Sequence, residues 1–179
     1  MKILLNLLLL IIFFTNLNAK SLLVDDKITF TDLLPNSQIY IDDRNELSIN
    51  EIKYITFEEN NKKLLGFGYS PDFTVWVKFT LENSTAKSLN KILEYDNALT
   101  TNISFYSPEN NYKPVKEGIF DIDINRKTIN PTFEINLDKY EKQTYFLKLN
   151  SHVTTLIVKL NLWDQKTFFS NEIMHQLIL

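Results

Sequence analysis

Acid–base or nucleophilic work in this chain would have to start from two histidines, His152 and His175. A Ser-His-acid triad holds an imidazole between a nucleophile and a carboxylate. His152 falls in the turn signal Asn150-Ser151-His152 and His175 in the terminal segment, neither beside a nucleophile motif, so no catalytic residue is assigned. Zero cysteines remove thiolate nucleophiles, disulfides, iron–sulfur centres and Cys-based zinc sites. Two histidines cannot build a multi-histidine cage, so no metal ligand is assigned and no cofactor is expected. The run Asp121-Ile122-Asp123-Ile124-Asn125 spaces three oxygen side chains as a calcium loop begins, but Arg126 stands where that loop needs glycine and Thr132 where it needs a bidentate acid. In a strand those three side chains share an outer face, and a calcium site assembled from separate loops stays open. Asp25-Asp26, Asp42-Asp43 and Glu58-Glu59 read as turn and surface charges. Glycosidases bring their two carboxyls from separate elements to about 5–10 Å, which adjacency in sequence does not achieve.

The aromatic residues say more. Trp76 falls on the outer face of an alternating segment, with Lys78 two residues on and Tyr69 just ahead in Gly66-Phe67-Gly68-Tyr69-Ser70. Flat apolar ring faces beside hydrogen-bonding groups suit a sugar ring or another small ligand, because pockets combine apolar walls with a few polar groups. Tyr69, Trp76 and Lys78 are therefore the candidate ligand-binding residues. The competing expectation is that Trp76 packs beneath a second sheet or beneath a helix at 49–55.

The elements that position these residues have a period of two. Phe73, Val75, Val77, Phe79 and Leu81 alternate with Thr74, Trp76, Lys78, Thr80 and Glu82, as a strand with one core face does. Similar strands are predicted at 91–96, 102–107, 132–137, 144–150 and 153–163, the last with apolar residues on both faces and hence central. Repeated short strands separated by turn signals indicate a sandwich or barrel. Ahead of them, Ile39-Tyr40-Ile41 is a short strand, and Ser48-Ile49-Asn50-Glu51 has the spacing of a capping box opening a short helix over 49–55. From Ser170, a possible cap, to Leu179 the alternation gives way to helix-compatible spacing of Ile173, Leu177 and Ile178.

A chain of 179 residues that is 44% hydrophobic makes one globular domain rather than two. A net charge of −3 offers no positive field to hold a phosphate backbone, so nucleic acid is not an expected partner. Lys2, the apolar run Ile3 to Phe14 and the polar stretch ending at Ala19 have the order of an export signal, with cleavage expected after Ala19. The run falls short of the roughly 20 apolar residues that span a bilayer. Export without cysteine leaves the fold to its hydrophobic core.

The segments in order resemble a known family. Ile39-Tyr40-Ile41-Asp42-Asp43, Leu47-Ser48-Ile49-Asn50-Glu51-Ile52 and Gly68-Tyr69-Ser70 lead into Val75-Trp76-Val77-Lys78-Phe79. Leu93-Glu94-Tyr95-Asp96, Ile103-Ser104-Phe105-Tyr106, Asn130-Pro131-Thr132-Phe133, Tyr145-Phe146-Leu147-Lys148-Leu149 and Leu160-Asn161-Leu162-Trp163 follow. Over about residues 33–169 the set is similar to the second type of extracellular sensor domain in bacterial seven-transmembrane receptors with diverse intracellular signalling modules. The resemblance implies an all-β fold, an antiparallel jelly-roll-like β-sandwich similar to carbohydrate-binding modules, with the short helix near 49–55 and a C-terminal helical segment. It implies a non-enzymatic periplasmic domain that senses a small ligand such as a carbohydrate and feeds a transmembrane and cytoplasmic signalling module, attached to the inner membrane in a complete receptor. The expected organisation is a signal peptide at 1–19, a lead-in at 20–32, the sensor sandwich at 33–169 and the start of a membrane-proximal helical segment at 170–179. The transmembrane region itself is expected to be absent from this chain. The alternative is a free-standing periplasmic protein-interaction or carbohydrate-binding module, and a homodimer is a further possible partner state.

Overall fold

Thirteen strands and two α-helices follow from this patterning in the computed structural model, which describes residues 21–121, 126 and 128–178. The predicted signal peptide and residues 122–125 of the acidic run lie outside the described residues. The strands are β1 (Ser21–Val24), β2 (Phe30–Asp32), β3 (Ser37–Asp42), β4 (Glu58–Glu59), β5 (Leu65–Tyr69), β6 (Thr74–Asn83), β7 (Leu89–Tyr95), β8 (Asn102–Tyr106), β9 (Val115–Glu117), β10 (Thr132–Leu137), β11 (Lys142–Asn150), β12 (Thr155–Val158) and β13 (Leu160–Asp164). Helix α1 (Ile49–Ile52) lies between β3 and β4, and α2 (Gln165–Ile178) follows β13.

The larger sheet runs β4-β3-β6-β11-β8-β9, with β1 also on β6. Strand β6 is its spine: β11 pairs along one edge, while β3 takes Thr74–Phe79 and β1, in parallel, takes Thr80–Asn83 on the other. The second sheet is β10-β7-β13-β2, and β12-β5 forms a small third ladder. None of the ladders closes on itself, and all pairings but β1–β6 are antiparallel. Val75, Val77, Phe79 and Leu81 of β6 share one buried cluster with Leu93, Tyr95, Phe133, Ile135, Leu160 and Leu162 of the second sheet. Each such side chain contributes about 1.5–3 kcal/mol when removed from water. An aromatic series crosses this core, from Phe79 to Tyr145 (5.3 Å), to Phe105 (5.8 Å), to Phe133 (4.8 Å).

The expected single strand at 153–163 is two strands. Backbone bonding passes from the small ladder to the second sheet at Lys159, whose carbonyl accepts from the Asp96 N–H at 3.0 Å. Leu156, Val158, Leu160 and Leu162 all still enter the shared core, so the alternation runs through the break and conceals it. The expected central position holds for β13, which lies between β7 and β2.

Both helices differ in extent from their expected ranges. Helix α1 covers Ile49–Ile52, with the Glu51 carboxylate accepting from the Ser48 N–H (2.9 Å) and hydroxyl (2.6 Å). Helix α2 begins five residues before Ser170, because Asp164 accepts from the Thr167 N–H at 3.1 Å and caps the first turn. Ser170 instead donates to the Lys166 carbonyl within the helix (2.9 Å). No helix among the described residues is long and apolar enough to cross a membrane.

On the inward side of β7, in phase with Leu89 and Leu93, the buried Lys91 ammonium donates to the carbonyls of Asp25 (3.0 Å) and Ile28 (2.8 Å), closing the turn between β1 and β2. Lys91→Met keeps the stem and strands both carbonyls. The expected loss is about 2 kcal/mol, read from the urea midpoint at unchanged slope.

Candidate ligand-binding face

The side of the larger sheet turned away from the shared core carries aromatic rings and lysines in register. One row reads Gln38, Lys78, Phe146 and Tyr106 across β3, β6, β11 and β8. The next reads Tyr40, Trp76, Lys148 and Ser104, with Lys116 of β9 at its end. Because alternate strand residues point the same way, Trp76 and Lys78 emerge together from β6, and Lys148 stands directly across from Trp76.

A cap covers this face. Ile52, Phe57, Trp76, Tyr106 and Phe146 form a second buried cluster, edged by Tyr40, Leu47, Ile49, Ile55 and Tyr112. Trp76 is fully buried, its ring stacked on Tyr106 at 5.7 Å. The phase expected from the alternation is therefore right, and its cover is the segment containing α1. Tyr112 reaches the face through a turn in which Asn111 and Tyr112 both have φ of 57°, and its hydroxyl donates to the Thr144 carbonyl (3.1 Å). The cap is fastened through Leu47, whose N–H donates to the Asp42 carboxylate (3.0 Å) and whose carbonyl accepts from Lys148 (3.1 Å). Asp42, expected as a surface charge, is consequently buried. Two clefts of about 330 and 230 Å³ open on either side of Tyr40, the first reaching Arg44 and Leu47 and the second Thr56 and Glu58.

Several donors stand on this face. The buried Trp76 indole N–H has no hydrogen-bond partner among the described residues, which costs about 1–3 kcal/mol. Lys148 lies 5.2 Å from the Trp76 ring centre and Lys78 5.3 Å from that of Phe57, both cation–π contacts. Burial pushes the Lys78 ammonium below the ordinary lysine range, and nearby Glu59 partly offsets this. Lys53 sits 3.5 Å from the Tyr112 ring centre at the margin.

The structure brings Trp76 and Lys78 together and leaves Tyr69 apart. Tyr69 ends β5 in the small ladder, 73% exposed, opposite Thr155. The residues that the sequence did not single out are Lys148, Tyr106, Phe146 and Phe57. Lys148 alternates with core residues of β11 as Trp76 does on β6, but only the register makes them neighbours.

A second polar cluster lies outside the other sheet. Glu94 accepts from Asn130 (2.8 Å), Asn161 (3.0 Å) and the Trp163 indole (2.8 Å), while Asp96 accepts from Asn130 (3.0 Å), Asn161 (3.3 Å) and Lys159 (2.5 Å). Its donors are spent on its own two carboxylates, so it works as a fastening of β7, β13 and the 130 turn. Burial acts to raise the Asp96 pKa, but the Lys159 ammonium and the two amides outweigh it and hold the carboxyl below the ordinary aspartate range. A carboxyl lowered on folding stabilises fully above the unfolded value of about 3.9, and the contribution fades as pH falls through the lowered value. The stability gap between wild type and Asp96→Asn is expected to close in that acid window in a pH series of denaturant midpoints. A gap that stays constant below pH 4 would contradict the assignment.

No group of three or more His, Cys, Asp or Glu that could hold a metal ion occurs among the described residues. No curated protein matches the chain. Residues 34–164 match the family model described as 7TMR-DISM extracellular 2, and the chain belongs to that family of non-catalytic extracytoplasmic sensor domains.

Proposed function

We propose that this chain is the ligand-sensing domain of a membrane-bound receptor, binding a small carbohydrate on the outer face of its larger sheet. In this reading the sheets are kin to the jelly roll of carbohydrate-binding modules, and the domain works outside the cytoplasmic membrane ahead of a seven-transmembrane region and a signalling module. One observation carries it: a buried tryptophan, its N–H unpartnered among the described residues, stands beside two lysines under a one-turn helical cap. Rings and donors together suit a polyol's apolar face and hydroxyl oxygens. Trp76 is reached only when the segment 47–57 lifts, and a ligand moves that equilibrium by its differential affinity for the open and closed forms. Tyr69 is an outlying contact on an exposed strand end. The relay is α2, anchored on the second sheet by buried Phe168 against Trp163, with 6.1 Å between ring centres.

Glycan-array screening of the full chain, followed by calorimetry, tests this. Saccharide binding that weakens in Lys78→Met is expected, with a smaller loss in Tyr69→Ser. A folded protein that binds no saccharide overturns the carbohydrate assignment, and binding lost only with Tyr69→Ser moves the site to β5.

A further inference from the structure

The charge of the capped face narrows what it can take. Three donor groups share this face: the Trp76 indole N–H and the Lys78 ammonium, each without an acceptor among the described residues, and Lys148 with one bond, to the Leu47 carbonyl. An ammonium carries three donors and an indole one, and none of them can accept. Strands lie about 4.8 Å apart and same-face neighbours along a strand about 7 Å apart, so the three side chains leave from adjacent positions of one face.

We propose that the ligand of this face bears a carboxylate on a ring body, the ring lying on the Trp76, Tyr106 and Phe146 surface and the carboxylate taking the Trp76 N–H with the Lys78 and Lys148 ammonium groups. This deepens the ligand-binding role given above and rests on it. A neutral hydroxyl can accept from the indole but brings no charge to the two ammonium groups in this part-buried, aromatic setting, where charge-assisted bonds are the stronger ones. Glu59, whose charge acts on Lys78, is exposed, accepts from Gln38 (2.5 Å) and makes no hydrogen bond or ion pair with Lys78 among the described residues. The same contact links occupancy to the cap. A carboxylate that draws Lys148 away from the Leu47 carbonyl releases one of the two bonds fastening the segment that carries α1.

The test uses the indole resonances of the full chain, which has two tryptophans, with Trp163→Phe assigning that of Trp76. The probes are matched pairs, galacturonate against galactose and benzoate against benzyl alcohol. Each acid is expected to shift the Trp76 resonance saturably, at least about tenfold tighter than its neutral twin. Lys78→Met, with its thermal midpoint checked, is expected to remove that preference. Equal affinity for both members of each pair at Trp76 overturns the carboxylate assignment and leaves the ligand-binding face standing. A response confined to Trp163, or none from any probe at tens of millimolar, overturns both.

Discussion

Trp76→Ala is expected to lower folding stability by about 3–5 kcal/mol, the range for removing a large aromatic side chain from a closed core. The indole is fully buried, stacks on Tyr106 and supports Ile52 and Phe57 of the cap. Alanine leaves a void that strands cannot collapse to fill, because β3 and β11 hold β6 in register on both sides. At roughly 2–4 °C per kcal/mol for a chain of this size, the thermal midpoint falls by about 10 °C. Tyr69→Ala is the contrast: an exposed ring at a strand end is expected to change stability by no more than about 0.5 kcal/mol. A loss below about 1 kcal/mol for Trp76→Ala would mean that the ring faces solvent. The same reasoning bars Trp76→Ala as a binding test, since it removes the floor of the face together with its donor.

Gly118→Ala is expected to cost at least as much, on the order of 4 kcal/mol, from two sources that add. The residue has φ of +124°, which L side chains rarely adopt. A Cβ there would overlap the Thr101 carbonyl oxygen and stand 2.8 Å from its carbon. That backbone cannot yield cheaply. Thr100 and Thr101 are buried, their carbonyls accept from the Ile119 (3.0 Å) and Phe120 (3.2 Å) N–H groups, and the Thr101 hydroxyl donates to the Asn150 carbonyl (3.0 Å). Gly66→Ala, with nothing within 4 Å of its added methyl, is the control and is expected to stay within about 0.5 kcal/mol. Urea titration of both variants decides it, and near-equal midpoints would show that the chain around Gly118 relaxes freely.

The strands that were legible in the sequence are those whose alternation is long and uninterrupted. Strand β10 occupies Thr132–Leu137 as expected, and β6 begins within one residue of its predicted start. Strands β1, β2, β4 and β9 are two to four residues long, and their pairing comes from the neighbours that they meet. The break at Lys159 was hidden because a change of sheet need not change the face that side chains point to.

The candidate site was half legible for a similar reason. Period two places Trp76 and Lys78 on one face, but neither the cap nor Lys148 can be derived from β6. Ile52 and Phe57 arrive from the segment after β3, and Lys148 from a strand about seventy residues on, through a register that only the fold sets. Glu94 and Asp96, and likewise Asn161 and Trp163, each sit two apart on outward positions. Their union depends on the pairing of Asn161 with Glu94 across β13 and β7.

The most direct measurement is a heteronuclear map of backbone amides in the full chain, recorded across a panel of neutral and acidic monosaccharides. Shifts are expected to gather on Tyr40, Phe57, Lys78, Tyr106 and Phe146, with accompanying changes along 47–57 as the cap responds. Shifts that gather instead on Glu94, Asp96, Asn161 and Trp163 of the other sheet would contradict the placement of the ligand-binding face.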